Sequence, residues 1–218
     1  MPISVQEQSG RVEPAEAAVK LYWLPLGAGG HCVRLNGLVF EAMSAWAQRR
    51  ERCDLYHSAL EVEFAGARYT IEMAPVWNER ATERGVVAEG AVGTRNAGRL
   101  RLFRYEIRCW RDGRIPDVGE AVESPHCLST DPVRVARILE LVTQVPTAVW
   151  GRDELQTGDM WNSNSVTSWL IASSGLDAGG IHPPAGGRAP GWDAGLVAAS
   201  RLGGRREIPR QSALAALG

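Results

Sequence analysis

Two alternating runs of residues, joined by a two-residue turn, constrain the fold of this chain more than any other feature. The runs DLYHSALEVEF and ARYTIEMAP alternate apolar and polar side chains with the period of a β-strand. They meet at Ala65-Gly66, which is typical of a tight turn between antiparallel strands. The sequence therefore predicts an antiparallel sheet that contains this hairpin.

Other strands are predicted on either side of the hairpin. The run KLYWLPLG predicts a strand that Pro25 ends, and Asn36-Gly37 predicts a second hairpin before a helix over residues 40–50. Residues 98–110 alternate arginine or glutamate with apolar residues, which indicates a strand with one buried face. Residues 115–127 show no such pattern and are expected to be irregular.

Helices are predicted from their capping residues. Thr130 or Asp131 caps a helix whose first position is Pro132, a site that proline favours. Asn162 or Ser163 caps a second helix in the run NSNSVTSWLIASSG. Because strands and helices are both present and the hairpin is antiparallel, the expected fold class is α+β.

Composition sets the size of the domain and excludes some partners. A chain of 218 residues with 44% hydrophobic residues is long enough for one domain, expected over 19–200 between flexible tails at 1–18 and 201–218. The formal net charge of −1 provides no basic field for a nucleic acid, so none is expected as a partner.

Neither a cofactor nor a membrane span is expected. The four cysteines lack CxxC spacing, so the sequence gives no support for a zinc site. The N-terminal residues do not have the pattern of a signal peptide, and the chain contains no 18-residue apolar run. These features predict a cytoplasmic protein without integral membrane association, although export by a dedicated secretion machine would leave no such mark.

His57 and Glu72 are the first pair of candidate functional residues. With Ala65-Gly66 at the tip, residues whose numbers sum to about 131 face each other, which places Ala59 opposite Glu72. Glu72 then lies on the diagonal from His57, on the same face and within reach of a long side chain. A carboxylate there would orient the imidazole and stabilise its charged form. Glu61, on the same face, is a competing orienting residue.

A run of polar residues at the start of the second helix provides a candidate nucleophile. The run consists of Trp161, Asn162, Ser163, Asn164 and Ser165. A hydroxyl at Ser163 would be close to unpaired backbone N–H groups and the positive end of the helix dipole. Serine needs a base to take its proton, and His57 is the candidate. Ser165 is the alternative nucleophile, the other members would support the site, and helix capping is the purely structural interpretation.

These two motifs together resemble the permuted papain-like group. That group includes the PPPDE isopeptidases, the permuted NlpC-type amidohydrolases and the lecithin:retinol acyltransferases, in which a strand-borne histidine precedes a helix that opens Asn-Cys-Asn. The resemblance covers residues 55–74 and 160–175, and the segments between them in outline. It implies a permuted papain-like α+β fold, a small antiparallel sheet packed on helices, with His57 acting on the nucleophile.

The sequence departs from the group at the nucleophile, because Ser163 stands where the group has cysteine. A natural serine nucleophile, an inactive relative and an engineered replacement of cysteine are the three explanations. The resemblance implies a hydrolase in which His57, Ser163 and Glu72 act on a peptide, isopeptide or acyl-ester substrate. The alternative is an inactive papain-like module that binds a peptide, a lipid or a protein partner.

Overall fold

The computed structural model describes residues 17–26, 49, 51, 53–76 and 85–206. The strands are β1 Ala18–Pro25, β2 Tyr56–Phe64, β3 Ala67–Pro75, β4 Val86–Ala91, β5 Arg104–Arg111 and β6 Val122–Ser129. The helices are α1 Pro132–Leu141, α2 Ser163–Ser173 and α3 Trp192–Arg206. The predicted hairpin at Asn36-Gly37, the predicted helix at 40–50 and most of both predicted tails lie outside the described residues.

The strands form an open antiparallel sheet in the order β4-β5-β3-β2-β1-β6. The predicted central hairpin is confirmed, with β2 and β3 paired from Leu60–Ile71 to Phe64–Ala67. Ala65 and Gly66 both have positive φ, at 51° and 75°, as a tight hairpin turn requires. Three helices accompany this sheet, so the predicted α+β class is confirmed.

The two faces of the sheet carry different apolar clusters. The main core, which includes residues of all three helices, contains Tyr56, Leu60 and Val62 of β2. A smaller cluster contains Ala59 together with Tyr22, Leu24, Ile115 and the partly buried Ala121. Because successive residues of a strand point to opposite faces, the even-numbered side chains of β2 face the helices and the odd-numbered ones face away.

The structure corrects two of the predicted strands. The strand expected over 98–110 begins only at Arg104, and two short 3-10 turns, Ala97–Arg99 and Arg101–Phe103, precede it. The segment 115–127 was expected to be irregular, but its last six residues, 122–127, belong to β6. Strand β6 lies at the edge of the sheet, where Pro125 is tolerated because none of the described strands is paired on its outer side.

Helix α3 has no counterpart among the predicted elements, and it extends past residue 200, the expected end of the domain. Its glycines disfavour a helix in isolation. In the structure Gly195 allows close packing, because a Cβ there would lie 2.1 Å from Ser168 Oγ and 2.2 Å from the carbonyl oxygen of Ser165. Contact with α2 therefore offsets the low helix propensity.

The predicted start of each of the other helices is confirmed. Asp131 caps α1, its side chain accepting a hydrogen bond of 2.9 Å from the Val133 N–H, and Pro132 occupies the first helical position. Asn162 caps α2. Within the described part of the chain, no helix is both long enough and apolar enough to cross a membrane.

Candidate functional site

The start of α2 is held by a reciprocal pair of cap bonds. The Asn162 side-chain oxygen accepts hydrogen bonds from the N–H groups of Asn164 (2.9 Å) and Ser165 (3.4 Å). In return, Ser165 Oγ accepts a bond of 3.0 Å from the Asn162 N–H. Trp161, just before the cap, is fully buried in the main core. The structural interpretation of this motif as a helix cap is therefore confirmed for Asn162 and Ser165.

Asn164 connects α2 to strand β2 and to the segment before α3. Its side-chain oxygen accepts a hydrogen bond of 2.9 Å from Ser58 Oγ, and its Nδ2 donates to the carbonyl oxygens of Tyr56 and Pro190, both at 2.9 Å. The side chain is buried, so these bonds replace all the water contacts that it would otherwise make. Asn164 therefore fixes the position of the helix start relative to the sheet.

Ser163 differs from the other polar members of the motif, because its side chain makes no hydrogen bond within the described part of the chain. It occupies the first position of α2 and is 7% exposed. Its hydroxyl has no hydrogen-bond partner within the described part of the chain, whereas the polar side chains of Asn162, Asn164 and Ser165 all have one. Of the two candidate nucleophiles, Ser163 therefore retains a free hydroxyl and Ser165 does not.

The structure places His57 on the face of β2 that is turned away from α2, and no hydrogen bond joins His57 to Ser163. In β2 it is Ser58 that contacts α2, through Asn164, so the alternation of the strand directs His57 to the opposite face. His57 pairs with Leu24 of β1, a member of the smaller apolar cluster. The sheet therefore separates the imidazole from the hydroxyl that it was expected to deprotonate.

The surroundings of His57 keep it neutral. Burial lowers the pKa of His57 to about 4, and the nearby charge of Asp117 only partly opposes this shift. A catalytic base that works near neutral pH needs a pKa close to that pH. This effect of burial is independent of the geometry and also argues against His57 as the base.

Glu72 shares the face of His57, as the hairpin register predicted, but it is bound elsewhere. Arg108 Nη1 donates to Glu72 Oε1 at 3.0 Å, and Arg108 Nε donates to Glu106 at 2.9 Å. All three side chains are buried. Burial raises the pKa of Glu72, and Arg108 counteracts this effect. Glu72 is therefore part of a buried ionic cluster and does not orient the imidazole.

The competing carboxylate, Glu61, is also engaged away from His57. It lies 3.5 Å from the Lys20 ammonium group and accepts a hydrogen bond of 3.5 Å from the Tyr22 hydroxyl. Lys20 is paired with Glu63 as well, at 2.7 Å. The triad implied by the resemblance is therefore not assembled around either carboxylate.

The polar side chains of α2 instead hold the segment that leads into α3. Asn162 Nδ2 donates to the Pro190 carbonyl at 2.8 Å, and Ser165 Oγ donates to the Gly191 carbonyl at 2.7 Å. Ser168 Oγ donates to the carbonyl of Trp192, also at 2.7 Å. The whole segment is thus attached to α2 through its main chain.

An open cleft of about 570 Å³ lies beside this segment. Its polar and charged lining residues are Thr157, Asp159, His182, Arg188 and Asp193. Apolar surface comes from Ile181, from prolines and from Trp192, whose ring packs 5.1 Å from that of Trp23. Ser163 is not among the lining residues. Sequence reasoning missed this cleft, although Trp192 within a proline- and glycine-rich run was a signal of a segment packed on the domain.

The described residues contain no group of three or more His, Cys, Asp or Glu side chains that could hold a metal ion. The absence of a cofactor remains a prediction from the sequence. No protein-family model, no curated protein and no solved structure matches this chain.

Proposed function

We propose that this chain is a binding module on a permuted papain-like framework, and that it holds a segment of peptide in the cleft beside α2. The observation that carries the proposal is the attachment to α2 of one wall of this cleft, the segment Pro190–Trp192. Asn162, Ser165 and Ser168, which lie on either side of Ser163 in the sequence, donate hydrogen bonds to the main chain of that wall, Pro190–Trp192. Of the residues implied to be catalytic, Glu72 is bound by Arg108, and His57 lies on the face of β2 that is turned away from α2.

The papain-like framework is supported by the relation between the two motif segments. The hairpin that carries His57 precedes α2 in the chain, which is the order of the permuted group. The two segments also touch, since Ser58 and Asn164 are hydrogen-bonded between β2 and α2. A papain-like framework in which His57 does not contact the start of α2 is expected to bind a ligand without hydrolysing it.

The lining of the cleft favours a peptide over an acyl chain. The carboxylates of Asp159 and Asp193 and the His182 ring occur in one cleft with the Trp192 side chain. Asp159 already accepts hydrogen bonds from the N–H groups of Met160 and Gly191. A peptide presents alternating N–H donors and carbonyl acceptors, which suit Asp193 and His182, whereas an acyl chain would offer these two side chains no polar partner. The volume of about 570 Å³ lies within the ordinary range of ligand sites.

Selection from a phage-displayed library of random peptides tests this function. Selected peptides are synthesised with a fluorophore, and their affinity is measured by anisotropy. We expect the double variant His182→Ala, Asp193→Asn to weaken binding by about tenfold or more, because each lost charge-assisted hydrogen bond is worth about 1.5 kcal/mol or more. Glu140→Gln, an exposed change on α1, is the matched control. Peptides that bind the double variant as well as the parent would show that the cleft is not the site.

Hydrolysis of an amide, isopeptide or ester is the second candidate function, and one observation favours it. The Ser163 hydroxyl is free of hydrogen bonds within the described residues and lies at a helix N-terminus. A fluorophosphonate probe separates the two functions when it is applied to the parent, Ser163→Ala and His57→Ala. We expect no labelling of the parent. Labelling that Ser163→Ala abolishes would instead establish a serine hydrolase, and its persistence in His57→Ala would show that another base serves it.

A further inference from the structure

The turns before β5 expose a cluster of large apolar side chains. Leu100, Leu102 and Phe103 are 62%, 71% and 41% exposed. They are three of the six exposed large hydrophobic residues in the described part of the chain, and they fall within four consecutive positions. A continuous strand would have buried one face of this run. Because the strand begins only at Arg104, the apolar side chains remain in water, and such a patch usually marks an interaction site.

The same segment is basic. Arg95, Arg99, Arg101 and Arg104 lie within ten residues, and the sequence contains no acidic residue between Ala91 and Glu106. Among the described residues, Glu154 pairs with Arg95 and Glu89 pairs with Arg104, and Arg101 also has a partner. The segment itself contributes four arginines and no carboxylate, so the charge that it places around the apolar cluster is positive.

The base of the segment is fixed, so the exposed side chains have no route to burial by a small rearrangement. Arg104 Nε donates to the Gly98 carbonyl at 2.6 Å, which closes the two turns into a compact loop. Within the loop, the N–H of Leu100 bonds to the Ala97 carbonyl and the N–H of Phe103 bonds to the Leu100 carbonyl, both at 2.9 Å. These short-range hydrogen bonds hold the two turns while the apolar side chains of the loop are exposed.

We propose that Arg99–Phe103, the basic apolar loop, docks on the surface of a membrane that contains anionic phospholipids. Leucine and phenylalanine side chains enter the boundary between headgroups and acyl chains, while the arginines bind the phosphate groups above it. Charge complementarity selects this occupant, because the loop combines exposed apolar side chains with an excess of arginine and no acidic residue of its own. The contact is peripheral and requires no membrane-spanning helix.

Sedimentation with vesicles tests the proposal on the full chain. The parent is expected to pellet with vesicles of phosphatidylcholine mixed with phosphatidylglycerol, to stay in solution with pure phosphatidylcholine, and to be released by high salt. Arg99→Ser should lower the partition coefficient about fivefold, the effect of one arginine at an anionic surface. The double variant Leu100→Ser, Leu102→Ser should lower it further. Matched controls are Val133→Ser, which removes an apolar side chain that is 76% exposed on α1, and Arg111→Ser.

The outcomes are distinct. Loss of binding in the loop variants, with retention in Val133→Ser and Arg111→Ser, supports the proposal. Failure of the parent to bind anionic vesicles overturns it, as does binding that the loop variants leave unchanged. If the parent instead forms a dimer in analytical ultracentrifugation and the double leucine variant is monomeric, the loop covers a second copy of the chain and the membrane proposal is wrong. The loop variants should unfold at the same urea concentration as the parent, because the changed side chains are exposed.

Discussion

The hydroxyl of Ser58 donates a hydrogen bond of 2.9 Å to the side-chain oxygen of Asn164. This bond joins the second residue after the start of β2 to the second residue of α2, and both side chains are buried. It determines which face of β2 meets the helix. Every odd-numbered side chain of the strand, His57 included, is therefore directed away from α2.

Removal of either member of this pair should destabilise the fold. Asn164→Ala leaves Ser58 Oγ and the carbonyl of Tyr56 without this partner and removes one of the two bonds to the Pro190 carbonyl, so we expect a loss of about 2–4 kcal/mol of unfolding free energy. Ser58→Ala, which removes one bond, should cost about 1–2 kcal/mol. Urea unfolding of both single variants and the double variant measures the coupling. A double variant with strictly additive losses would show that the bond contributes nothing.

Acid should destabilise the protein through His57. The pKa of His57 is about 4 in the folded chain, below the ordinary value of 6.5, so the unfolded chain binds the proton more tightly. The contribution of His57 to the free energy of unfolding is therefore fully present above pH 6.5. It is lost as the pH falls from 6.5 to 4, by up to about 3 kcal/mol at 1.36 kcal/mol per pKa unit. His57→Leu should reduce the fall between pH 7 and pH 4 in urea unfolding. His126→Gln, a change at an exposed position, is the control, and equal falls in parent and His57→Leu would refute this origin.

The buried ionic cluster predicts unequal effects for its members. Arg108→Met leaves the carboxylates of Glu72 and Glu106 buried without the guanidinium, so we expect a loss of about 3–5 kcal/mol at pH 7. Glu72→Gln keeps the shape of the side chain and removes its charge. Because burial already raises the pKa of Glu72, this variant should lose less than half as much unfolding free energy as Arg108→Met. Thermal unfolding at pH 7 compares the two variants. A Glu72→Gln variant that is the less stable of the pair would contradict this account of the cluster.

The cleft wall should be sensitive to a single methyl group at Gly191. The φ of Gly191 is +86°, and a Cβ there would lie 2.4–2.6 Å from atoms of the Asn162 side chain. Gly191→Ala should therefore break the cap as well as strain the backbone, with a loss of about 2 kcal/mol or more. Gly186→Ala is a matched control, because its φ is +76° and nothing lies within 4 Å of the added atom. Similar urea midpoints for the two variants would show that only backbone strain matters.

The parts of the structure that could be predicted from the sequence are those that depend on local chemistry. The hairpin register follows from alternation and from a turn at Ala65-Gly66, and the paired residues do sum to 131. Asn162 as a cap follows from the preference of its side chain for backbone N–H groups. In both cases the deciding interactions lie within a few residues of each other or within one hairpin.

The face of β2 that is covered by helices could not be predicted, and the expected position of His57 next to Ser163 depended on it. Both faces of the strand carry small or apolar residues, with Leu60 on one face and Ala59 on the other. Only the tertiary position of α2 shows which face is covered by helices. Helix α3 was missed on similar grounds, since Gly195 reads as a helix breaker until its contact with Ser168 is known.

The attachment of the cleft wall has a consequence for how this molecule can change. Side chains at the cap and in the first turns of α2 donate hydrogen bonds to the carbonyl oxygens of Pro190, Gly191 and Trp192. Every amino acid has a backbone carbonyl. Substitution of the neighbouring side chains at Arg188, Ala189 and Asp193 therefore leaves these hydrogen bonds in place. The position of the cleft wall and the side chains that it presents therefore depend on different residues, so substitutions in the wall can change the surface of the cleft without changing its attachment to α2.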